Sequence, residues 1–227
     1  MTKIKYIMFD FDNTLVDSLK FWYDSIDREA FKFFGVKINK EFRTARKGLT
    51  NREICECFVK YSGTDKSVDE VVKFWHGKMI FNYQNKIKMV KGARETLETL
   101  KQMGYKLVLA SATPMNVLKV AVTHFDLEKY FEKIYTEETL GAPKREPKFY
   151  ENIMADLKIS ASEFFVFEDA FVSLRSAGSL GIKSCSLIHK FNKNKLKNLG
   201  ENNLLIIKNY YAKKLKTLPI FRVQEDR

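Results

Sequence analysis

Acidic, hydroxyl and small side chains stand directly after three apolar stretches, at the points where buried strands would end. They are Asp10, Asp12 and Thr14 after residues 5–9, Ser111 and Ala112 after residues 106–110, and Glu168 and Asp169 after residues 164–167. Ligands of open α/β sheets bind just beyond the carboxyl ends of the strands. Taken singly, each residue could be a turn residue or a helix cap. Their joint placement after different strands favours one shared site.

Carboxylates that converge at one place repel one another and resist ionisation unless a cation lies between them. Oxygen ligands favour a hard ion, and Mg²⁺ is the common choice beside a phosphate. We therefore expect a Mg²⁺ site at this edge of the sheet. One carboxylate oxygen of Asp10 would face the metal, and the other would be free to attack phosphorus.

The elements that position these residues alternate between strand and helix, with one interruption. From Gly92 onward, apolar strands alternate with helices, which is typical of a parallel sheet covered on both faces. Residues 18–85, between the first strand and this alternating part, look all-helical. The predicted fold is α/β, a doubly wound Rossmann-like parallel sheet with an inserted α-helical unit. The expected domains are a discontinuous core of residues 1–17 and 86–227 and a helical insertion of residues 18–85.

Local signals mark where several helices begin. Thr50 and Ser67 each precede a glutamate by three residues, which is the pattern of a capping box. Pro114 suits the first position of a helix, and Thr113 would then be its N-cap. The signal at Thr113 and Pro114 places Ser111 and Ala112 at a strand-to-helix junction.

Composition excludes several classes of protein. The chain has 227 residues, of which 45% are hydrophobic, enough to build a core and to exclude general disorder. No apolar run approaches the ~20 residues of a membrane span. The N-terminal apolar run ends in Asp10 instead of a cleavage site, so no signal peptide is expected. Three cysteines, Cys55, Cys57 and Cys185, are too few for a disulfide framework and indicate reduced thiols in a cytoplasmic protein.

The formal net charge of +12 could attract nucleic acid, an anionic membrane or phosphorylated small molecules. Lysines are spread along the chain, and the densest stretch, residues 189–216, carries eight of them and one acidic residue. No nucleic-acid-binding motif accompanies them, so a solvated basic surface is the favoured interpretation and nucleic acid is not an expected partner. A nucleic-acid-binding or regulatory protein without catalytic activity stays an alternative.

Three segments together resemble the motifs of one enzyme superfamily. Residues 9–18 (FDFDNTLVDS) resemble the first motif of the haloacid dehalogenase superfamily, in its Mg²⁺-dependent phosphatase branch. Residues 109–113 (LASAT) are similar to the second motif, and residues 167–170 (FEDA) to the fourth. The helical insertion resembles the cap of the subgroup that holds phosphoglycolate phosphatases and β-phosphoglucomutases. The resemblance covers nearly the whole chain to about residue 188.

The resemblance implies a role for each matching residue. Asp10 would be the nucleophile that forms an aspartyl-phosphate. Asp12 would be the general acid and base, and its backbone carbonyl would also bind Mg²⁺. The remaining roles fall to Thr14, Ser111 and Ala112 for the phosphate and to Glu168 and Asp169 for the metal.

Three departures from the family pattern bear on the chemistry. Asn13 stands where the family usually has Gly, and Asn tolerates the left-handed backbone better than other non-glycine residues. In the third motif, counting back three residues from Pro147 selects Lys144 as the charge-stabilising lysine, with Lys148 as the alternative. Trp22 stands near the position where β-phosphoglucomutases carry a His, which argues for hydrolysis over mutase chemistry.

The sequence therefore predicts a Mg²⁺-dependent phosphatase that hydrolyses small phosphorylated metabolites. The cap segment around Arg46 and Lys47 resembles a basic specificity loop that contacts the non-reacting end of the substrate, although a solvated loop is the alternative there. A sugar phosphate mutase of the β-phosphoglucomutase type is the alternative activity. We expect a monomer or a weak dimer with no membrane partner.

Overall fold

A single parallel sheet forms the centre of the protein. The computed structural model describes residues 4–22, 26–37, 39–46, 49–187, 204–207 and 210. Within them the strands are β1 (Tyr6–Phe9), β2 (Lys106–Ser111), β3 (Lys133–Thr136), β4 (Phe164–Phe167), β5 (Lys183–Leu187) and β6 (Leu204–Ile207). They pair in the order β3-β2-β1-β4-β5-β6, and every pair is parallel.

The strand order places a topological switch point beside β1. β2 and β3 extend the sheet on one side of β1, whereas β4, β5 and β6 extend it on the other. Ligands of doubly wound sheets bind where the order reverses in this way. The backbone N–H of Asp10 donates to Phe167 O at 2.9 Å, so the first residue after β1 is tied to the end of β4. The predicted doubly wound sheet is confirmed.

The helices fall into two groups. Between β1 and the first core helix lie α1 (Ile26–Phe33), α2 (Lys40–Ala45), α3 (Asn51–Ser62) and α4 (Val68–Asn85). The core helices are α5 (Ala93–Gln102), α6 (Met115–His124), α7 (Glu137–Leu140), α8 (Pro147–Leu157) and α9 (Phe171–Ser179). In the part of the chain that the structure describes, no helix has the length and apolar character needed to cross a membrane.

Residues of β1 alternate between the two faces of the sheet. Ile7 and Phe9 pack in the larger apolar cluster, which continues into the cap, whereas Met8 packs with Phe149 of α8 on the other face. Phe9 also stacks on Phe167 of β4, with ring centroids 4.5 Å apart. Because both faces are covered, apolar side chains are favoured on both sides of the central strands, and this explains the unbroken apolar runs of β1 and β4.

Both predicted capping boxes are confirmed. The Thr50 hydroxyl accepts from Glu53 N at 3.4 Å, and the Glu53 carboxylate accepts from Thr50 N at 2.6 Å. Ser67 and Glu70 make the same exchange at the start of α4, at 3.2 and 2.9 Å. Each box satisfies two backbone N–H groups that the first turn of a helix leaves free.

Two linkers join the helical insertion to the core, and they pair with each other. The backbone N–H of Asp17 donates to Lys88 O at 2.9 Å, and that of Val90 donates to Leu15 O at 2.8 Å. The chain therefore leaves the core and returns to it through one hydrogen-bonded segment. On this ground we propose residues 18–85 as the extent of the cap.

The cap lies against the core helix that follows β2. α4 packs along α6, and the amide nitrogen of Asn116 on α6 is 3.1 Å from His76 Nδ1 on α4. The helix α6 starts just beyond the carboxyl end of β2. The cap consequently covers the edge of the sheet at which the acidic residues were expected to meet.

Candidate active site

Lys144 lies at the centre of a buried charged cluster. Its Nζ atom donates to Asp10 Oδ1 at 2.6 Å and to the backbone oxygen of Ala110 at 3.1 Å, and it is 2.7 Å from Glu168 Oε2. The side chains of Lys144, Asp10 and Glu168 are only 5%, 8% and 1% exposed. The backbone N–H of Lys144 donates to Glu137 Oε1 at 2.8 Å, which holds the loop before α8 in place.

The two lysines that the third motif offered have different surroundings. Lys148, in the first turn of α8, is 65% exposed and lies 3.7 Å from Glu151 on the same helix. Lys144 alone of the two contacts Asp10. Lys144, the lysine three residues before Pro147 that the sequence selected, is therefore the one that lies at the strand ends.

Burial sets the charge state of this cluster. Loss of hydration raises the pKa of Asp10 well above its ordinary value, and the charge of Glu168 raises it further against the opposing effect of Lys144. Burial likewise raises the pKa of Glu168. Burial alone would lower the pKa of Lys144, but the charges of Asp10 and Glu168 outweigh it and hold that pKa well above its ordinary value. The lysine is therefore charged, whereas the raised pKa values of Asp10 and Glu168 mean that their charged forms are disfavoured unless a further cation is present.

The carboxylates of this cluster form the kind of donor set that binds a hard divalent cation. Asp10, Glu168 and Asp169 each offer a carboxylate oxygen, and these atoms lie within 4.8 Å of one another. The other oxygen of Glu168, Oε1, accepts from the backbone N–H groups of Asp169 and Ala170 at 3.1 and 3.0 Å, which fixes the carboxylate plane. Mg²⁺ prefers such carboxylate oxygens, so the residues present fit the expected ion.

The two hydroxyl groups expected to bind phosphate are both buried. Thr14 Oγ1 has no hydrogen-bond partner among the described residues, although Thr14 is fully buried. A buried hydroxyl without a partner is uncommon, and it is available to a ligand. Ser111 Oγ accepts from the backbone N–H of Thr113 at 3.0 Å. Asn13 has the predicted left-handed backbone, with φ at 61°, and its side chain accepts from Leu19 N at 2.7 Å.

Asp12 is surrounded by neutral donors. Its Oδ1 atom accepts three hydrogen bonds. The donors are Ser18 Oγ at 2.6 Å, Trp22 Nε1 at 3.0 Å and Tyr83 OH at 2.6 Å. Its Oδ2 atom accepts one, from Thr113 Oγ1 at 2.6 Å. Burial and the charge of Asp12 raise the pKa of the Tyr83 phenol well above its ordinary value, so the phenol stays protonated and donates.

The hydroxyl of Thr113 has a different partner from the predicted one. Pro114 occupies the N-cap position of α6, and no side chain caps that helix. The expectation that Thr113 is the N-cap was therefore wrong. Its hydroxyl instead donates to Asp12 Oδ2 across the strand ends, a hydrogen bond strengthened by the carboxylate acceptor.

Of the two cap residues predicted to contact the substrate, the structure describes only Arg46. Arg46 follows α2, and its guanidinium carbon lies 5.4 Å from the ring centre of Phe42. Lys47 lies outside the described residues. Contact of either side chain with a substrate stays a prediction.

Other cap side chains reach the core beside the predicted phosphate-binding segment. Asn51, at the start of α3, donates from Nδ2 to the backbone oxygen of Ala112 at 3.2 Å. Ala112 itself is exposed at this point. Glu53, two residues later, lies 3.6 Å from the guanidinium of Arg145, next to Lys144 in the chain. The start of α3 is therefore a second part of the cap that contacts the site, in addition to Trp22 and Tyr83 beside Asp12.

Sequence reasoning missed the donors that surround Asp12. The sequence singled out Trp22 only as the residue that stands where β-phosphoglucomutases carry a His, and it did not single out Ser18 or Tyr83. A usable signal was present for Tyr83, which lies in the last turn of α4 before the linker that returns to the core. Because the chain returns to the core just after this point, a phenol there lies close to the strand ends. A buried phenol hydroxyl usually has a hydrogen-bond partner, so an acceptor at the strand ends could have been expected.

Comparison with known proteins agrees with this arrangement. The family model for haloacid dehalogenase-like hydrolases matches residues 7–187. The chain is 25% identical over 190 residues to a phosphorylated carbohydrates phosphatase of Thermotoga maritima, a match that covers 83% of this chain and 88% of that protein. It is 26% identical over 165 residues to hexitol phosphatase B of Escherichia coli, covering 72% and 74% of the two chains.

Solved structures show the same fold. The crystal structure of a predicted phosphoglycolate phosphatase from Haemophilus somnus matches with a TM-score of 0.77 and 22% sequence identity. The match covers 96% of this chain and 99% of that one. It therefore includes both the parallel sheet and the helical insertion.

Proposed function

The chain belongs to the haloacid dehalogenase-like hydrolase family, and we propose that it is a Mg²⁺-dependent phosphatase of small phosphorylated metabolites. The observation that carries the proposal is the buried contact of Asp10 with Lys144 at the switch point of the sheet. A carboxylate fixed there, with one oxygen engaged and the other available, is suited to attack phosphorus. The substrate class that we favour is phosphorylated carbohydrates, because two relatives are named for such compounds.

The proposed first step transfers the phosphoryl group to Asp10. The free carboxylate oxygen attacks phosphorus, and the bond between phosphorus and the ester oxygen breaks. Asp12 donates its proton to the departing oxygen, so that an alcohol leaves and Asp12 becomes a carboxylate. Lys144 stabilises the negative charge on the transferring group, and Thr14 and Ser111 hold its oxygens.

The proposed second step hydrolyses the aspartyl-phosphate. Asp12, now a carboxylate, removes a proton from a water molecule as the water attacks phosphorus. The bond between phosphorus and Asp10 breaks, which restores the Asp10 carboxylate and releases inorganic phosphate. Asp12 is protonated again at the end of the cycle.

The carboxylates of Asp10, Glu168 and Asp169, with the backbone carbonyl of Asp12, would hold the Mg²⁺ ion. Bound there, the ion would supply positive charge beside the phosphate oxygens. The raised pKa values of Asp10 and Glu168 support this assignment, since a divalent cation relieves the repulsion that disfavours their charged forms.

Hydrolysis is favoured over mutase chemistry by the residue at position 22. The indole N–H of Trp22 donates to Asp12 at 3.0 Å. An indole cannot accept a proton, so Trp22 cannot take part in the proton transfers that a histidine at this place could perform. We therefore place water, and not a second sugar phosphate, as the acceptor of the phosphoryl group.

A panel of phosphorylated carbohydrates, assayed for phosphate release with Mg²⁺ and with a chelator, tests this function. We expect Mg²⁺-dependent release from at least one hexitol or hexose phosphate, and a mass increase of one phosphoryl group on the peptide that contains Asp10 after rapid quenching. Conversion of one sugar phosphate to its isomer without phosphate release would favour the mutase. No turnover of any substrate, with salt-dependent binding of RNA or DNA, would favour the nucleic-acid-binding alternative.

A further inference from the structure

The two oxygens of the Asp12 carboxylate are bonded unequally. Among the residues that the structure describes, Oδ1 accepts three hydrogen bonds within 3.0 Å, whereas Oδ2 accepts one. The three donors to Oδ1 are Ser18 at the entry to the cap, Trp22 four residues later, and Tyr83 in the last turn of α4. The single donor to Oδ2, Thr113, belongs to the core.

The chemistry of these donors decides where a proton can reside on Asp12. Trp22 can only donate, and the fully buried Tyr83 phenol is a poor acceptor of a carboxylic proton. A proton on Oδ1 would face these donors and break at least one of the short contacts. Ser18 and Thr113 each carry a hydroxyl, which both donates and accepts, so either could rotate to accept a proton. A proton on Oδ2 meets only Thr113, whereas a proton on Oδ1 still meets the donors Trp22 and Tyr83.

We propose that Trp22 and Tyr83 are positioning residues that assign the catalytic proton of Asp12 to Oδ2. This inference rests on the proposed phosphatase function and deepens it, because it says which atom of the general acid gives up the proton. In the first step the Oδ2–H bond breaks, the proton passes to the departing alkoxide oxygen, and the electron pair stays on Asp12. The three donors at Oδ1 stabilise the carboxylate as it forms.

A consequence follows for the leaving group. An alkyl phosphate, such as a hexitol phosphate, releases a strongly basic alkoxide and needs the proton from Asp12. A 4-nitrophenyl phosphate releases a weakly basic phenolate and needs it little. Loss of a donor at Oδ1 therefore slows transfer from the alkyl phosphate and largely spares the aryl phosphate.

The test uses the full-length chain with Mg²⁺, the variants Trp22→Phe and Tyr83→Phe, and kcat/KM, which reports the steps up to formation of the aspartyl-phosphate. We expect kcat/KM for the alkyl phosphate to fall roughly tenfold to a hundredfold in each variant, as for loss of a hydrogen bond to a charged group. For 4-nitrophenyl phosphate it should change by less than about threefold. An equal fall for the two substrates, or no fall for either, would overturn the inference.

Matched controls separate positioning from packing. Trp75→Phe removes the second tryptophan of the same cap, whose Nε1 has no partner among the described residues. Tyr130→Phe removes a phenol that donates to Glu98 at 2.8 Å on the core, away from Asp12. We expect neither control to change the ratio of kcat/KM between the two substrates, and a change as large as that of Trp22→Phe would contradict the proposal.

A double-mutant cycle distinguishes failure of this inference from failure of the proposed function. In an Asp12→Asn background, Trp22→Phe and Tyr83→Phe should have almost no further effect on the alkyl phosphate, because they act through the Asp12 proton. Effects that add fully in that background would overturn the positioning role while leaving the phosphatase intact. If the unaltered protein releases phosphate from neither substrate, the proposed function itself fails.

Discussion

Asp10 and Asp12 are two residues apart in the chain, yet the protein surrounds them with different parts of the fold and different chemistry. The neighbours of Asp10 are charged, buried and supplied by the core, with Lys144 and Glu168 within 2.7 Å of each other. The neighbours of Asp12 are neutral, and three of the four come from residues 18–83, in the cap and its entry. The core therefore presets the electrostatics of the proposed nucleophile, whereas the cap completes the surroundings of the proposed acid and base.

The two kinds of neighbour differ in what their loss costs. Removing one member of a buried ion pair leaves an uncompensated charge in a medium that solvates it poorly. Removing one neutral donor from a carboxylate that keeps three others costs much less. Loss of the cation beside Asp10 should therefore affect folding and turnover together, whereas changes around Asp12 should affect proton transfer and leave folding nearly unchanged.

The largest effect is expected at the nucleophile. Asp10→Asn keeps the shape of the side chain and removes the attacking charge, so turnover should fall by roughly four orders of magnitude or more. Folding should survive, because Lys144 and Glu168 remain 2.7 Å apart as a pair. Phosphate release and the thermal midpoint measure the two quantities. Asp17→Asn, at an exposed carboxylate of the cap linker, is the control, and near-normal turnover by folded Asp10→Asn protein would disprove the mechanism.

The next largest effect is expected at Lys144, and it should distinguish Lys144 from Lys148. Lys144→Met leaves Asp10 and Glu168 buried without their cation, so the free energy of unfolding should fall by about 3–5 kcal/mol. Activity should fall by roughly a hundredfold or more, because the positive charge beside the phosphoryl group is lost. Lys148→Met, at an exposed position, should change the free energy of unfolding by less than about 0.5 kcal/mol. Urea unfolding of both variants tests this difference, and similar losses in the two would contradict the central position of Lys144.

A smaller effect is expected at the metal site. Asp169→Ala removes one carboxylate from the group that also contains Asp10 and Glu168, so the Mg²⁺ concentration needed for half-maximal activity should rise at least about tenfold. Calorimetric titration of Mg²⁺ should show the same weakening without any assay of turnover. Ca²⁺ should inhibit, because it prefers more ligands and a looser geometry. Full activity after treatment with a chelator would show that the metal assignment is wrong.

The smallest effect is expected in the cap loop. Replacing Arg46 and Lys47 together by alanine should raise KM for a phosphorylated carbohydrate by a few fold, because a cationic side chain there would contact the distal end of the substrate. KM for 4-nitrophenyl phosphate should stay almost unchanged, since that compound is too short to reach the loop. Asn51→Ala, which removes a direct contact of the cap with Ala112 outside this loop, is the variant with which the loop variant is compared. Equal losses for both substrates would assign the loop to support of the fold.

Much of the fold could be predicted because it depends on local patterns. The apolar runs that became β1, β2 and β4 are bounded by polar residues, and the two capping boxes are four-residue signals. β6 was not predicted, since its four residues lie within the most lysine-rich stretch of the sequence. Its contribution is tertiary: Tyr210, three residues beyond β6, is buried with its ring 5.9 Å from that of Phe167.

The order of residue types along the chain determined where the candidate chemistry lies. The ends of β1, β2 and β4 each carry an acid or hydroxyl directly after an apolar run, and parallel strands bring their carboxyl ends to one edge whatever the connections between them. The same local order placed Lys144 three residues before Pro147.

What the tertiary structure alone decided was which groups meet. Lys144 reaches Asp10 across 134 residues of sequence, and Tyr83 and Thr113 reach Asp12 across 71 and 101. No local pattern encodes such contacts, because they depend on how the cap packs against α6 and on which buried donors remain in need of an acceptor.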